Sequence, residues 1–132
     1  DYNYGVDNGG SATMTNVTAL ALGGTESLGV YNVCCSPTIR NSVISARGAT
    51  NNYGIYNRIY YMWPDSYTVR VNNSEITGNT NTIYHVVELA GDYTTLVGAS
   101  RLDGGSVEPA GGTVTCAGVY DESYTFYSNT CP

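Results

Sequence analysis

A short phrase returns along this 132-residue chain at a step near 25, and that step limits what the chain can fold into. Asn3-Tyr4-Gly5-Val6-Asp7-Asn8 is echoed by Leu28-Gly29-Val30-Tyr31-Asn32 and by Asn52-Tyr53-Gly54-Ile55-Tyr56-Asn57, with glycines at 5, 29 and 54. A second phrase runs out of phase with the first. It reads Thr13-Met14-Thr15-Asn16-Val17-Thr18-Ala19, then Thr38–Ile44, then Arg70–Ile76, and weakly Leu96–Leu102. Its central residue is Asn16, Asn41, Asn73 and then Ala99, at steps of 25, 32 and 26.

A step of this length is too short for a propeller blade, and neither phrase has helical periodicity. Each is a few alternating apolar and polar residues bounded by Gly, Asn or Ser, the mark of a short strand. The expected fold is therefore all-β, a right-handed parallel β-helix of about four coils. Stacking the phrases aligns Met14, Ile39, Val71 and Val97 in one inward row. Ala19, Ile44, Ile76 and Leu102 form a second, and Val6, Val30, Ile55 and Ile83 a third. Asn16, Asn41 and Asn73 fall at a corner. Asparagine tolerates unusual φ there and can bond the backbone and the next amide, so an Asn ladder is expected, ending at Ala99. The step of 32 marks an insertion of about seven residues within 58–67. Coils are expected over 1–104 and a terminal region over 105–132, where Thr113–Cys116 and Tyr124–Tyr127 read as a hairpin or cap.

Cysteines stand at 34, 35, 116 and 131. Cys116 with Cys131 closes an ordinary loop and would tie the cap shut. Cys34 and Cys35 are adjacent, either a vicinal disulfide or two buried thiols. The spacing is wrong for zinc, and nothing calls for a metal or a cofactor. An even cysteine count suggests an oxidising, extracellular setting. The chain has 13 Tyr, no Lys, five Arg and a net charge of −6, which argues against nucleic acid and anionic membrane partners. No apolar run is long enough to span a bilayer as a helix. Asp1 falls in mid-repeat, as expected of a processed or truncated piece.

The phrases "SPTIRNSVISA" and "TNNYGIYN" and the ending "GTVTCAGVYDESYTFYSNTCP" resemble the C-terminal portion of bacterial right-handed parallel β-helix repeat-containing proteins. The resemblance implies the fold and the ending, and no activity. Polysaccharide lyases and hydrolases on this kind of fold need clustered carboxylates. Here no repeat column collects two. Glu75 aligns with Arg101 as a surface ion pair, and no catalytic residue is expected. His85 takes the repeat position of Asn57 and is expected at the surface. Asn16 and Asn72 head glycosylation patterns; a structural role is expected for Asn16, and Asn72 is left open.

Tyr60, Tyr61, Trp63 and Tyr67 sit in or beside the insertion, which the coils do not require. Aromatics there suit subunit contact or stacking on sugars, or they fold back over the solenoid. Three functions follow. The first is an extracellular fibre or surface-assembly subunit stacking head to tail through its open first coil. The second is a carbohydrate-binding or adhesin module using the Tyr-rich face. The third is a fragment of a polysaccharide lyase or hydrolase.

Overall fold

In the computed structural model, which describes residues 1–60, 65–88 and 91–132, the chain is an all-β solenoid of about four turns. The strands are β1 (Tyr2–Asn8), β2 (Thr13–Thr15), β3 (Thr18–Leu22), β4 (Glu26–Val33), β5 (Thr38–Arg40), β6 (Val43–Arg47), β7 (Asn51–Ile59), β8 (Ser66–Asn72) and β9 (Glu75–Val87). They continue with β10 (Asp92–Gly98), β11 (Arg101–Glu108), β12 (Gly112–Ala117), β13 (Val119–Asp121) and β14 (Phe126–Tyr127). One sheet runs β1-β4-β7-β9-β11-β13-β14, with β3 and β6 joining it at β9. The other runs β2-β5-β8-β10-β12. Every pairing is parallel except β13 with β14.

The inward rows fall in the expected register. Met14 pairs with Ile39, Ile39 with Val71, and Val71 with Val97. Ala19, Ile44, Ile76 and Leu102 are likewise stacked, as are Val6, Val30, Ile55 and Ile83. Most of these side chains are fully buried, each stabilising the fold by roughly 1.5–3 kcal/mol before conformational entropy is counted. The recurrent glycine has a steric cause. A Cβ on Gly29 would lie 2.6 Å from the Gly54 carbonyl oxygen and 2.6 Å from Ile44 Cγ2. The coil is thin at this point, and only a hydrogen atom fits between its walls.

Two expectations change. Thr113–Cys116 is not half of a hairpin. It lies in β12, which pairs parallel with β10 and extends the solenoid past residue 105. The antiparallel cap is the smaller β13–β14 pair, and the Cys116–Cys131 disulfide ties the end of the chain to the last coil. His85 is not at the surface. It pairs with Asn57 as expected, but that column points inward and His85 is wholly buried.

That column forms a polar ladder inside the core. Asn8 Nδ2 donates to Asn32 Oδ1 at 3.0 Å, and Asn32 Nδ2 to Asn57 Oδ1 at 2.7 Å. Asn57 Nδ2 then donates to Thr95 Oγ1 at 3.2 Å, and Thr95 Oγ1 meets His85 Nε2 at 2.9 Å. The Thr95 hydroxyl can donate to the ring nitrogen or accept from it, so this contact suits either tautomer. Nδ1 is buried without a partner. Burial pulls the His85 pKa down to about 4, so the ring is neutral at ordinary pH.

Candidate functional site

Asn16, Asn41 and Asn73 do stack at one corner, with φ of 58°, 49° and 48°. Ala99 holds the same conformation at 45°, so the corner continues where the asparagines stop. The ladder there differs from the expected one. Among the described residues no amide of these three bonds another. The backbone N–H of Asn16 donates to Arg40 O, that of Asn41 to Asn72 O, and that of Asn73 to Gly98 O. Val17 follows Asn16, but a serine follows each of the next three corner residues, and these serines carry the side-chain bonds. Val17 N donates to Ser42 Oγ, Ser42 N to Ser74 Oγ and Ser74 N to Ser100 Oγ, at 3.1–3.2 Å. Each serine hydroxyl turns back to the carbonyl two residues earlier. The asparagines supply the left-handed backbone, which their short polar side chains tolerate, and leave their amides at the surface.

Asn41 and Asn73 border a shallow groove of about 770 Å³ that follows the corner across successive coils. Ser42, Ser74 and Ser100 lie along it, beside Val43 and Ala99, and its far end is formed by Glu75, Arg101, Tyr120 and Tyr124. The expected register of Glu75 against Arg101 holds. Arg101 Nη1 stands 4.0 Å from Glu75 Oε1, and its Nε 2.8 Å from Asp103 Oδ1, a contact without hydrogen-bond alignment. Asp103 therefore joins Glu75 across neighbouring strands, a convergence the repeat columns did not reveal. Burial raises the Asp103 pKa, and Arg101 opposes that rise.

Tyr124 reaches the groove from a tight turn. Asp121 Oδ1 accepts from Ser123 N and Thr125 N, both at 2.9 Å, and its Oδ2 accepts from Tyr127 Oη at 3.0 Å. These bonds, the Thr125 N–H foremost, hold the Asp121 carboxyl below its usual pKa. The turn leaves Tyr124 at φ 60° and 71% exposed, with the Arg101 guanidinium 5.0 Å from its ring centre.

The aromatic cluster expected near the insertion divides. Tyr61 and Trp63 lie outside the described residues. Tyr67 belongs to β8 and packs on buried Tyr93, so it is part of the fold. Tyr60, just past β7, meets Tyr31 hydroxyl to hydroxyl at 3.1 Å, under an Arg58 guanidinium 4.6 Å from its ring centre. Arg58 is paired with Glu88. Beside them lies a tyrosine ribbon in which Tyr2, Tyr4, Tyr31, Tyr56, Tyr84 and Tyr53 follow ring on ring at 5.1–6.3 Å. The Tyr2–Tyr4 and Tyr4–Tyr31 contacts are stacked and the others are tilted or edge-on, and Tyr2 and Tyr4 remain exposed at one end.

Cys34 and Cys35 are bonded to each other in a turn with φ of 61° and 74°, and the Cys34 carbonyl accepts from Tyr93 Oη at 2.7 Å. Asn72 is exposed at the end of β8. Among the described residues no three of His, Cys, Asp and Glu gather as around a metal ion, and no helix is long and apolar enough to cross a membrane. No family model, curated protein or solved structure matches the chain.

Proposed function

We propose that this chain is an extracellular carbohydrate-binding module, and that the corner groove is its binding site. The observation that carries the reading is the pairing of free Asn41 and Asn73 amides with the exposed, turn-held ring of Tyr124. Pyranose rings present C–H faces that pack on aromatic rings and hydroxyls that bond amides. Among the described residues the one guanidinium at the groove, Arg101, is met by the carboxylates of Glu75 and Asp103, so the site favours a neutral polyol over an anion. Successive corners repeat at the strand spacing of about 4.8 Å, which suits a linear oligosaccharide lying along the solenoid axis. The volume is in the ordinary range for small-ligand sites. Two disulfides are compatible with an extracellular setting.

Screening on a neutral-glycan array tests this. Tyr124→Ala should weaken binding about tenfold, the loss of about 1.4 kcal/mol of ring contact, and Asn41→Ala with Asn73→Ala should weaken it further. No bound glycan, or binding unchanged in the combined variant, overturns the proposal. Self-association is the second reading. Its support is that β1 ends one sheet and β2 the other, leaving strand edges that accept a further coil or a second copy. Head-to-tail stacking has less support, since β14 covers β13 at the other end. Sedimentation showing only monomers at high concentration removes this reading.

A further inference from the structure

The tyrosine ribbon and the Tyr31–Tyr60 contact are unused by the corner groove, and their chemistry points elsewhere. We propose that Tyr31 and Tyr60 are a site of oxidative cross-linking, joined as dityrosine by a peroxidase-type oxidant. Dityrosine forms when two tyrosyl radicals couple through ring carbons ortho to the hydroxyl. That bond lies in the plane of both rings, so the rings must meet edge to edge. Tyr31 and Tyr60 meet hydroxyl to hydroxyl at 3.1 Å, and each ortho carbon is one bond from its hydroxyl-bearing carbon. Stacked partners do not meet in this way. Tyr4 and Tyr31 present faces to each other at 5.2 Å and 21°, a geometry that passes an electron but cannot close the bond.

The ribbon supplies the entry route. Tyr2 and Tyr4 are 60% and 41% exposed, whereas Tyr31 is nearly buried. An oxidising equivalent taken at Tyr2 or Tyr4 has a neighbouring ring at 6.3 Å and then 5.2 Å on the way to Tyr31. Tyr60 is partly exposed and is oxidised directly. Each phenol loses one electron and its hydroxyl proton. The two ortho carbons then bond, and their ring hydrogens move to the oxygens as aromaticity returns. With hydrogen peroxide as the oxidant, two tyrosines and one peroxide give one dityrosine and two waters. The product ties β4 to the end of β7, residues 29 apart in the chain.

The test treats the dilute 132-residue chain with a haem peroxidase and hydrogen peroxide, isolates the monomer on a denaturing gel, and maps cross-linked peptides by mass. The expected result is one dominant pair, the Tyr31 and Tyr60 peptides joined with loss of two hydrogens. Tyr60→Phe, which keeps the ring under Arg58, should abolish monomeric dityrosine fluorescence, and Tyr4→Phe should slow its appearance severalfold. Wild-type monomer that contains no dityrosine, or that joins a different pair, overturns the proposal. So does undiminished monomeric dityrosine in Tyr60→Phe.

Discussion

Lowering the pH from about 7 to about 4 should destabilise this protein through one buried ring. In the unfolded chain His85 titrates near 6.5; in the folded chain burial holds it at about 4. Between those values the unfolded state binds the proton and the folded state does not, so stability falls as pH falls. Above 6.5 the contribution is complete and flat, and below 4 nothing more is lost from this group. A gap of about 2.5 units is worth about 3 kcal/mol at 1.36 kcal/mol per unit, a large fraction of the stability of a typical domain. Urea unfolding followed by circular dichroism, at pH values spanning this window, measures it. Asparagine is the natural control, because Asn57 occupies the preceding position in the same column. His85→Asn should remove the His85 share of the slope, leaving whatever the carboxylates contribute. Parallel losses in wild type and variant would show that His85 is not held neutral in the core.

The interior ladder should be costly to interrupt. Asn32→Ala strips the donor from Asn57 Oδ1 and the acceptor from Asn8 Nδ2, and should cost about 1–3 kcal/mol in urea melts. Asn16→Gly, at an exposed left-handed corner, should change stability by only about a few tenths of a kcal/mol. Gly29→Ala should destabilise by roughly 1–3 kcal/mol through overpacking, whereas Gly9→Ala, with nothing within 4 Å of its new methyl, should be tolerated. Removing the Cys116–Cys131 bridge with serines should cost about 3 kcal/mol for a loop of this size and lower the melting temperature, with hydrogen exchange rising first in β13 and β14.

The coil register was legible because side chains on one face must stack in register if the core is to be dry. Phrases such as Met14, Ile39 and Val71 therefore carried it directly. The choice between inside and outside was harder for polar residues. Asn8, Asn32, Asn57 and His85 form one column, yet polarity alone suggests surface, and only mutual hydrogen bonding makes the interior acceptable. The corner asparagines showed the converse. Their backbone role was readable from residue type, but the bonds belonged to Ser42, Ser74 and Ser100, each the residue that follows a corner. The groove was legible only in part: the repeat sets Arg101 in register with Glu75 and Val43, beside the corner, but Tyr124 reaches the groove from the cap, which no column joins to Asn41.

The corner groove is tested most directly by mapping where a neutral oligosaccharide binds. Backbone amide NMR shifts of the full chain, titrated with a glycan taken from the array, should move at Asn41, Asn73, Ala99, Arg101 and Tyr124. Shifts gathered instead around Tyr4, Tyr31, Tyr56 and Tyr60, or none at saturating sugar, would contradict the account.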